Sequence, residues 1–351
     1  MISFYPGPSR VYSQVPKFVK EAYDQGILSI NHRSDEFVKL YQQTKTLLRE
    51  KLAIPDPYSI YFTSSATECW EIIAQSLIEQ SYHIYTGAFG EKWFQYTKKL
   101  NPYAIGYQCD HNQPIVAEGF DFASGDGVIC LTQNETSNGT CVDNEIIGAF
   151  REKHPENVIA VDATSSMAGV NLKFENADVW YASVQKCFGL PAGMAILICS
   201  PRAIDRAKSI NERQHYNSLL NITENEVLNQ TTHTPNVLGV YLMMRVMEQV
   251  QSIDVVDKLI SKRAKALYKT CAQLNNYDPL IENPAVRSKT VITVKGEEKT
   301  IQAIKSKAKK EGIILGNGYG ALKNDTFRIA NFPAIKESEV KTLRKFLKSL
   351  E

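Results

Sequence analysis

Lys186 lies in SVQKCFGLPAG, a stretch of small residues and breakers between two apolar runs, Val179 to Ala182 and Met194 to Cys199. The runs read as short buried strands and the stretch between them as a loop. Two readings are open for a lysine so placed. It is a solvated loop lysine, or it is an amine held near a low-dielectric pocket, where desolvation lowers its pKa and frees the neutral form for a Schiff base. Asp162 poses the same question. It follows the apolar run of NVIAV directly, and a carboxylate there is either a turn or N-cap aspartate or a buried acid that keeps a ring nitrogen protonated.

In an open α/β sheet, ligands sit beyond the carboxyl ends of the strands, so residues just after each strand carry the functional information. After YSIYFT come Ser64-Ser65-Ala66-Thr67, opening a helix. That is an ordinary N-cap, or a cup in which backbone N–H groups and hydroxyls meet an anion. After SYHIYT come Gly87-Ala88-Phe89, where Phe89 is a core residue or a flat surface for a planar ring. Thr136, in NETSNG, is a turn residue or a hydroxyl in the site. Each signal alone is weak. Together, an anion cup, a planar stacker, a hydroxyl, an acid and an amine are the contacts that pyridoxal phosphate requires. On this reading Lys186 carries the cofactor and then moves the substrate's Cα proton, while Asp162 keeps the pyridine nitrogen charged.

The elements that must position these residues alternate as strand, turn and helix from Tyr58 to about Arg213. That pattern predicts a mostly parallel sheet covered on both faces. Two amphipathic helices, roughly 14–25 and 35–53, precede it. After Thr234-Pro235 the spacing predicts one or two long helices, then a tail with two or three strands (TVITVKG, GIILGNG, TFRIANF) and helices near 299–311 and 336–350. The expected division is a large domain, 13–245, and a small α+β domain built from 1–12 and 246–351.

Bulk properties exclude several classes. The 351 residues carry 40 basic and 38 acidic side chains, a formal charge of +2, with no basic block to recruit nucleic acid or a membrane surface. Seven scattered cysteines without CxxC spacing fit reduced thiols better than disulfides or a metal site. Neither a signal peptide nor an apolar run of about twenty residues is present, so a cytoplasmic location is expected. No G-x-G-x-x-G follows a strand, which argues against a dinucleotide-binding oxidoreductase.

The motifs FYPGPS, INHRSDEF, QNETSNG, VDATSS, ASVQKCFGLPAG, THTP and FRIANF resemble those of the class V aminotransferases, fold-type I pyridoxal-phosphate enzymes, over nearly the whole chain. The resemblance implies an α/β fold with a seven-stranded, mostly parallel large domain and a small domain built from both chain ends. By position, Lys186 matches the lysine that binds the cofactor and Asp162 the partner of its ring nitrogen. Thr136 matches a hydroxyl beside the ring oxygen, and Gln185 a residue near the phosphate. Ser65, Ala66 and Thr67 fall in the phosphate cup, and Phe89 falls where the family stacks an aromatic, usually tryptophan. His233 and Thr234 match a pair that reaches the phosphate from a neighbouring subunit, although the family has asparagine at the first position; this implies a homodimer. On the substrate side, His32 and Arg33 match a pair that helps bind a substrate phosphate. Arg328 matches the arginine that forks onto the substrate carboxylate.

The implied activity is amino transfer between O-phosphoserine and 2-oxoglutarate, in serine synthesis, with an amino acid and a 2-oxo acid as small-molecule partners. Two departures stand against the phosphorylated substrate. Tyr319-Gly320 occupies the place of a second His-Arg pair, and Thr67 that of a cup arginine; each charge-assisted contact so lost is worth about 1.5–3 kcal/mol. The alternative is a class V aminotransferase for a small unphosphorylated amino acid, of the alanine–glyoxylate or serine–pyruvate type. A binding protein that kept the fold and lost the chemistry is the reading from another class, and the intact Lys186 and Asp162 oppose it.

Overall fold

The computed structural model describes residues 1–123, 125 and 127–350. The chain begins with β1 (Ile2–Phe4), α1 (Val15–Asp24) and α2 (Asp35–Leu52). An alternating stretch follows: β2 (Ser59–Thr63), α3 (Ala66–Ser76), β3 (Gln80–Tyr85), α4 (Ala88–Leu100), β4 (Ala104–Gln108) and β5 (Gly127–Thr132). A small hairpin, β6 (Asn134–Glu135) and β7 (Thr140–Cys141), leads to α5 (Asn144–Lys153), β8 (Val158–Asp162), β9 (Val179–Ser183), β10 (Ala195–Cys199) and α6 (Pro201–Ile210). Beyond it lie α7 (Leu219–Glu226), α8 (Val237–Gln249), α9 (Ile253–Cys271), β11 (Tyr277–Pro279), β12 (Val291–Gly296), α10 (Glu298–Lys310), β13 (Ile313–Asn317), β14 (Thr326–Ala330) and α11 (Glu337–Lys348).

Seven strands form the large sheet in the order β2-β10-β9-β8-β5-β3-β4. All run parallel except β10, which is antiparallel to both its neighbours. Every residue of β5, β8, β9 and β10 is buried, which explains why these strands read as unbroken apolar runs. One face carries Ile159, Val161, Trp180 and Ile196 into the main core; the other carries Val128, Ala160, Tyr181 and Leu197 into a second cluster with α3 residues such as Ile72 and Ile73. Side-chain caps set where the helices start. Ser34, Ser65, Asp143, Ser200 and Ser218 each accept a bond from a backbone N–H in the first turn of α2, α3, α5, α6 and α7. Because β2, β3, β5, β8 and β9 are parallel, their carboxyl ends share one edge of the sheet. The residues following them therefore converge there.

The second sheet has five strands in the order β1-β13-β14-β12-β11, two more than the sequence pattern predicts. β1 pairs in parallel with β13, Ile2 opposite Ile313, so the N-terminal arm completes a sheet otherwise made by the last quarter of the chain. β11 is three residues ending in Pro279, too short to show alternation. The long helical stretch is two helices: Val250 turns extended and Ser252 starts α9. No helix among the described residues is long and apolar enough to cross a membrane.

Candidate active site

A cleft of about 260 Å³ opens where the carboxyl edge of the large sheet meets the second sheet and the N-terminal arm. Lys186 projects into it from the turn after β9. Its Nζ donates to Thr136 Oγ1 at 2.8 Å and to Ser165 Oγ at 3.0 Å, and those two hydroxyls bond to each other. The lysine is buried. Burial pushes its pKa down from 10.5 to about 8, with Arg328 adding to the fall and the carboxylates of Asp162 and Glu135 opposing it. A fraction of the amine is thus neutral near physiological pH. In cofactor-free protein, labelling of Lys186 by a small amine-reactive reagent should rise with pH to a midpoint near 8, because only the neutral amine attacks. A midpoint near 10.5, that of an unperturbed lysine, would contradict this.

Asp162 ends β8 and lines the same cleft. Burial raises its pKa, while the Thr164 hydrogen bonds, the Lys186 charge and Tyr181 hold it down. Thr164 N–H donates to Oδ1 at 2.8 Å, which fixes the carboxylate at the edge of the cleft. The amide of Asn134 adds to this: its Nδ2 is buried and unbonded among the described residues. An unsatisfied buried polar group costs about 1–3 kcal/mol, so its position points to a polar ligand in the cleft.

The N-terminus of α3 forms one wall. Ser65 caps it by accepting from Glu68 N–H at 3.0 Å, and Ala66 N–H donates to Ser183 Oγ at 3.2 Å. Ala66, Thr67, Ser183 and Gln185 line the cleft beside this positive helix end. Ser65 itself faces a neighbouring surface depression.

Phe89 opens α4, and the Lys186 Nζ lies 5.2 Å from its ring centroid. Its other contact was not legible in the sequence: the Tyr319 ring, from the second sheet, stacks on it at 4.8 Å and 28°. Glu135, also not singled out from sequence, holds this corner together. Its buried carboxylate accepts from the N–H groups of Phe89 and Gly90, both at 3.1 Å, and from Ser137 N–H and Oγ–H. Ser137 Oγ in turn accepts from Ala88 N–H at 3.0 Å. The signal was present, since Glu135 is an acid at a strand end just as Asp162 is. The next residue, Thr136, bonds Lys186 through its hydroxyl and accepts from Arg328 Nη1 at 2.7 Å through its carbonyl. One hairpin thereby places the stacking ring, the amine and the guanidinium. Gly87 permits the close approach: a Cβ there would sit 2.6 Å from both Glu135 Cγ and Ser137 Oγ. Gly87→Ala should therefore cost about 1–3 kcal/mol of stability, read by urea unfolding, and displace Phe89; an unchanged unfolding midpoint would sink the claim.

Arg328 is buried on β14, and burial lowers its pKa. Its Nε donates to Asn317 O at 2.7 Å. Among the described residues no hydrogen bond engages its Nη2, which leaves one edge of the fork open to the cleft.

Four expected site residues stand apart from this cleft in the single chain. His32 and Arg33 lie in the turn before α2, where Arg33 N–H donates to Asn31 Oδ1. His233 packs edge-on against Tyr216 at 5.9 Å, and Thr234 is exposed beside it. None of the four lines the cleft; His233 instead borders a small depression beside Thr63 at the end of β2 and Glu68 in the first turn of α3. No group of three or more metal-binding side chains occurs among the described residues.

The family model described as aminotransferase class-V matches residues 6–324. A curated phosphoserine aminotransferase of Corynebacterium glutamicum is 27% identical over 354 residues, covering 96% of this chain and 91% of that protein. Among solved structures, a phosphoserine aminotransferase from Cytophaga hutchinsonii is 31% identical with a TM-score of 0.93, covering 99% of this chain and 98% of that one. An aspartate aminotransferase from Thermus thermophilus shares the fold at 20% identity, with a TM-score of 0.86 and full coverage of both chains.

Proposed function

The chain belongs to the class-V aminotransferase family, and within it we propose that it moves an amino group between O-phosphoserine and 2-oxoglutarate with pyridoxal phosphate as cofactor. The observation that carries this is the pairing, in one cleft, of a buried amine with lowered pKa and a buried carboxylate, beside the unbonded buried amide of Asn134. That donor set fits the group. Lys186 would hold it covalently, Asp162 its ring nitrogen, Thr136 its ring oxygen, and Phe89 its flat face. Ala66, Thr67 and Gln185, at the positive end of α3, would hold its phosphate. When bound, pyridoxal phosphate supplies an electron sink for the electrons left when a substrate Cα loses its proton.

The chain's own residues do the rest. Thr136 and Ser165 aim the Lys186 amine through two hydrogen bonds, so that, once free, it is placed to take and return a proton at Cα. Asp162, fixed by Thr164, would stabilise positive charge on the ring nitrogen of that group. The open edge of Arg328 orients a carboxylate. Burial beneath the N-terminal arm excludes water from the amine: Gly7 comes so close that a Cβ there would lie 3.1 Å from Lys186 Cε.

The similarity to phosphoserine aminotransferases supports the phosphorylated substrate. We read the active form as a cytoplasmic homodimer, in which His32, Arg33, His233 and Thr234 face the partner's cleft, with residues 13–245 as the large domain. A second reading, a small unphosphorylated amino acid, is favoured by Thr67, Tyr319 and Gly320. They leave Lys186 and Arg328 as the cations among the cleft-lining residues. Adding O-phosphoserine, serine and alanine singly to the holoenzyme, and following the absorption change, separates the two. A response to alanine or serine stronger than to O-phosphoserine would reject the first.

A further inference from the structure

Tyr319 stands on the connection between β13 and β14 and forms a wall of the cleft. Two cations flank its ring. Arg328 Cζ lies 5.6 Å from the ring centroid, and Lys92 Nζ lies 4.9 Å from it. Lys92 sits three residues beyond Phe89 on α4, hence on the same helix face. Its ammonium donates to Tyr319 Oη at 2.5 Å and lies 5.9 Å from the Phe89 centroid. Unlike Lys20, Lys45 or Lys153, Lys92 has no carboxylate partner among the described residues. It is an uncompensated charge held at the rim by a phenol.

We propose that Lys92 and the Tyr319 hydroxyl together read a second acidic group on the substrate side chain, a phosphate or carboxylate, while Arg328 holds the carboxylate next to the amine. This rests on the aminotransferase reading above and gives it a specificity device. The donor count supports it. A phenol that accepts from an ammonium still has its own O–H to give, and the ammonium keeps two further N–H groups. The ammonium polarises the phenol and strengthens that donor. The two cations that line the cleft are committed, Lys186 to two hydroxyls and Arg328 through Nε and Nη1 to two carbonyls; Lys92 is exposed just behind the Tyr319 and Phe89 rings. Lys92 is placed to supply the charge that a diacid needs, from outside the chemistry of the amine.

The test is Lys92→Gln, which keeps a hydrogen-bond donor for Tyr319 and removes the charge, with Tyr319→Phe as a second variant. Dissociation constants of O-phosphoserine, glutamate and alanine are measured on each holoenzyme by absorption titration, at low and high salt. The expected result is that the preference for either diacid over alanine falls about tenfold in Lys92→Gln and severalfold in Tyr319→Phe. The wild-type preference should also weaken as salt rises. A preference unchanged in Lys92→Gln overturns the proposal, because Gln would then be replacing a merely positional bond. Equal losses for all three ligands overturn it too. Should wild type bind glutamate and ignore O-phosphoserine, the phosphoserine reading falls, and the role of Lys92 is decided by glutamate against alanine.

Discussion

Lys186→Ala is expected to lower the rate of amino transfer by at least about 10⁴-fold, the upper range for a positioned acid–base group. The variant loses the only amine among the residues lining the cleft, the group that on the proposed reading would anchor the cofactor. Neighbouring groups do not replace it: Thr136 and Ser165 are neutral hydroxyls, and Arg328 stays protonated despite its burial. Unfolding is a poor rival explanation. A lysine whose pKa falls from 10.5 to about 8 on burial carries its charge, at neutral pH, at a penalty of roughly 3 kcal/mol. Alanine removes that penalty and leaves a cavity, and the two effects oppose each other. Stability should therefore change far less than rate. The check is single-turnover kinetics beside a melting curve, together with the absorption band of the bound cofactor. Residual turnover within about tenfold of wild type would overturn the role of this amine.

How much of this was readable beforehand depends on whether a feature is local. Asp162 and Lys186 were legible because each follows a strand buried on both faces, and parallel strands deliver their last residues to one edge. Phe89 and Ala66 follow from the same rule. Features that depend on distant side-chain pairing were not legible. The Lys92–Tyr319 bond joins residues 227 apart in the chain; the return of the N-terminal arm to the last part of the chain was expected, but its parallel register on β13 was not. α7, eight residues long with a polar majority, owes its existence to Leu219 and Leu220 packing beneath α3 and to the Ser218 cap, not to a visible repeat. Glu135 shows a different failure. Its acid was visible, and two of its four hydrogen bonds are local, from Ser137, but the two from Phe89 and Gly90 depend on the hairpin folding back over the start of α4. His32, Arg33, His233 and Thr234 lie outside the cleft in the single chain, so their expected place in the site had no local signal to carry it.

Asp162→Asn should lower the rate by about 10²–10³-fold, the range seen when one preorganised electrostatic contact is removed, with little change in substrate affinity. The substitution is nearly isosteric. Asparagine keeps Oδ1, so the 2.8 Å bond from Thr164 N–H survives and the backbone at the end of β8 need not move. What disappears is the negative charge that, on the proposed reading, would keep a ring nitrogen protonated. The stability sign separates this from damage to the fold. Burial raises the folded pKa of Asp162 above its unfolded value. Between those two values the native state binds more protons than the unfolded chain, so stability falls as pH rises through that window and the cost persists at neutral pH. Asparagine abolishes the cost, and the variant should be at least as stable as wild type at neutral pH. It should also lower the Lys186 pKa further, since the Asp162 carboxylate supports the ammonium; the labelling midpoint of the cofactor-free variant would then move below 8. A large rate loss with retained stability and a downward shift of that midpoint is the expected triad. A rate within about fivefold of wild type would show that the carboxylate serves the strand end and not the ring.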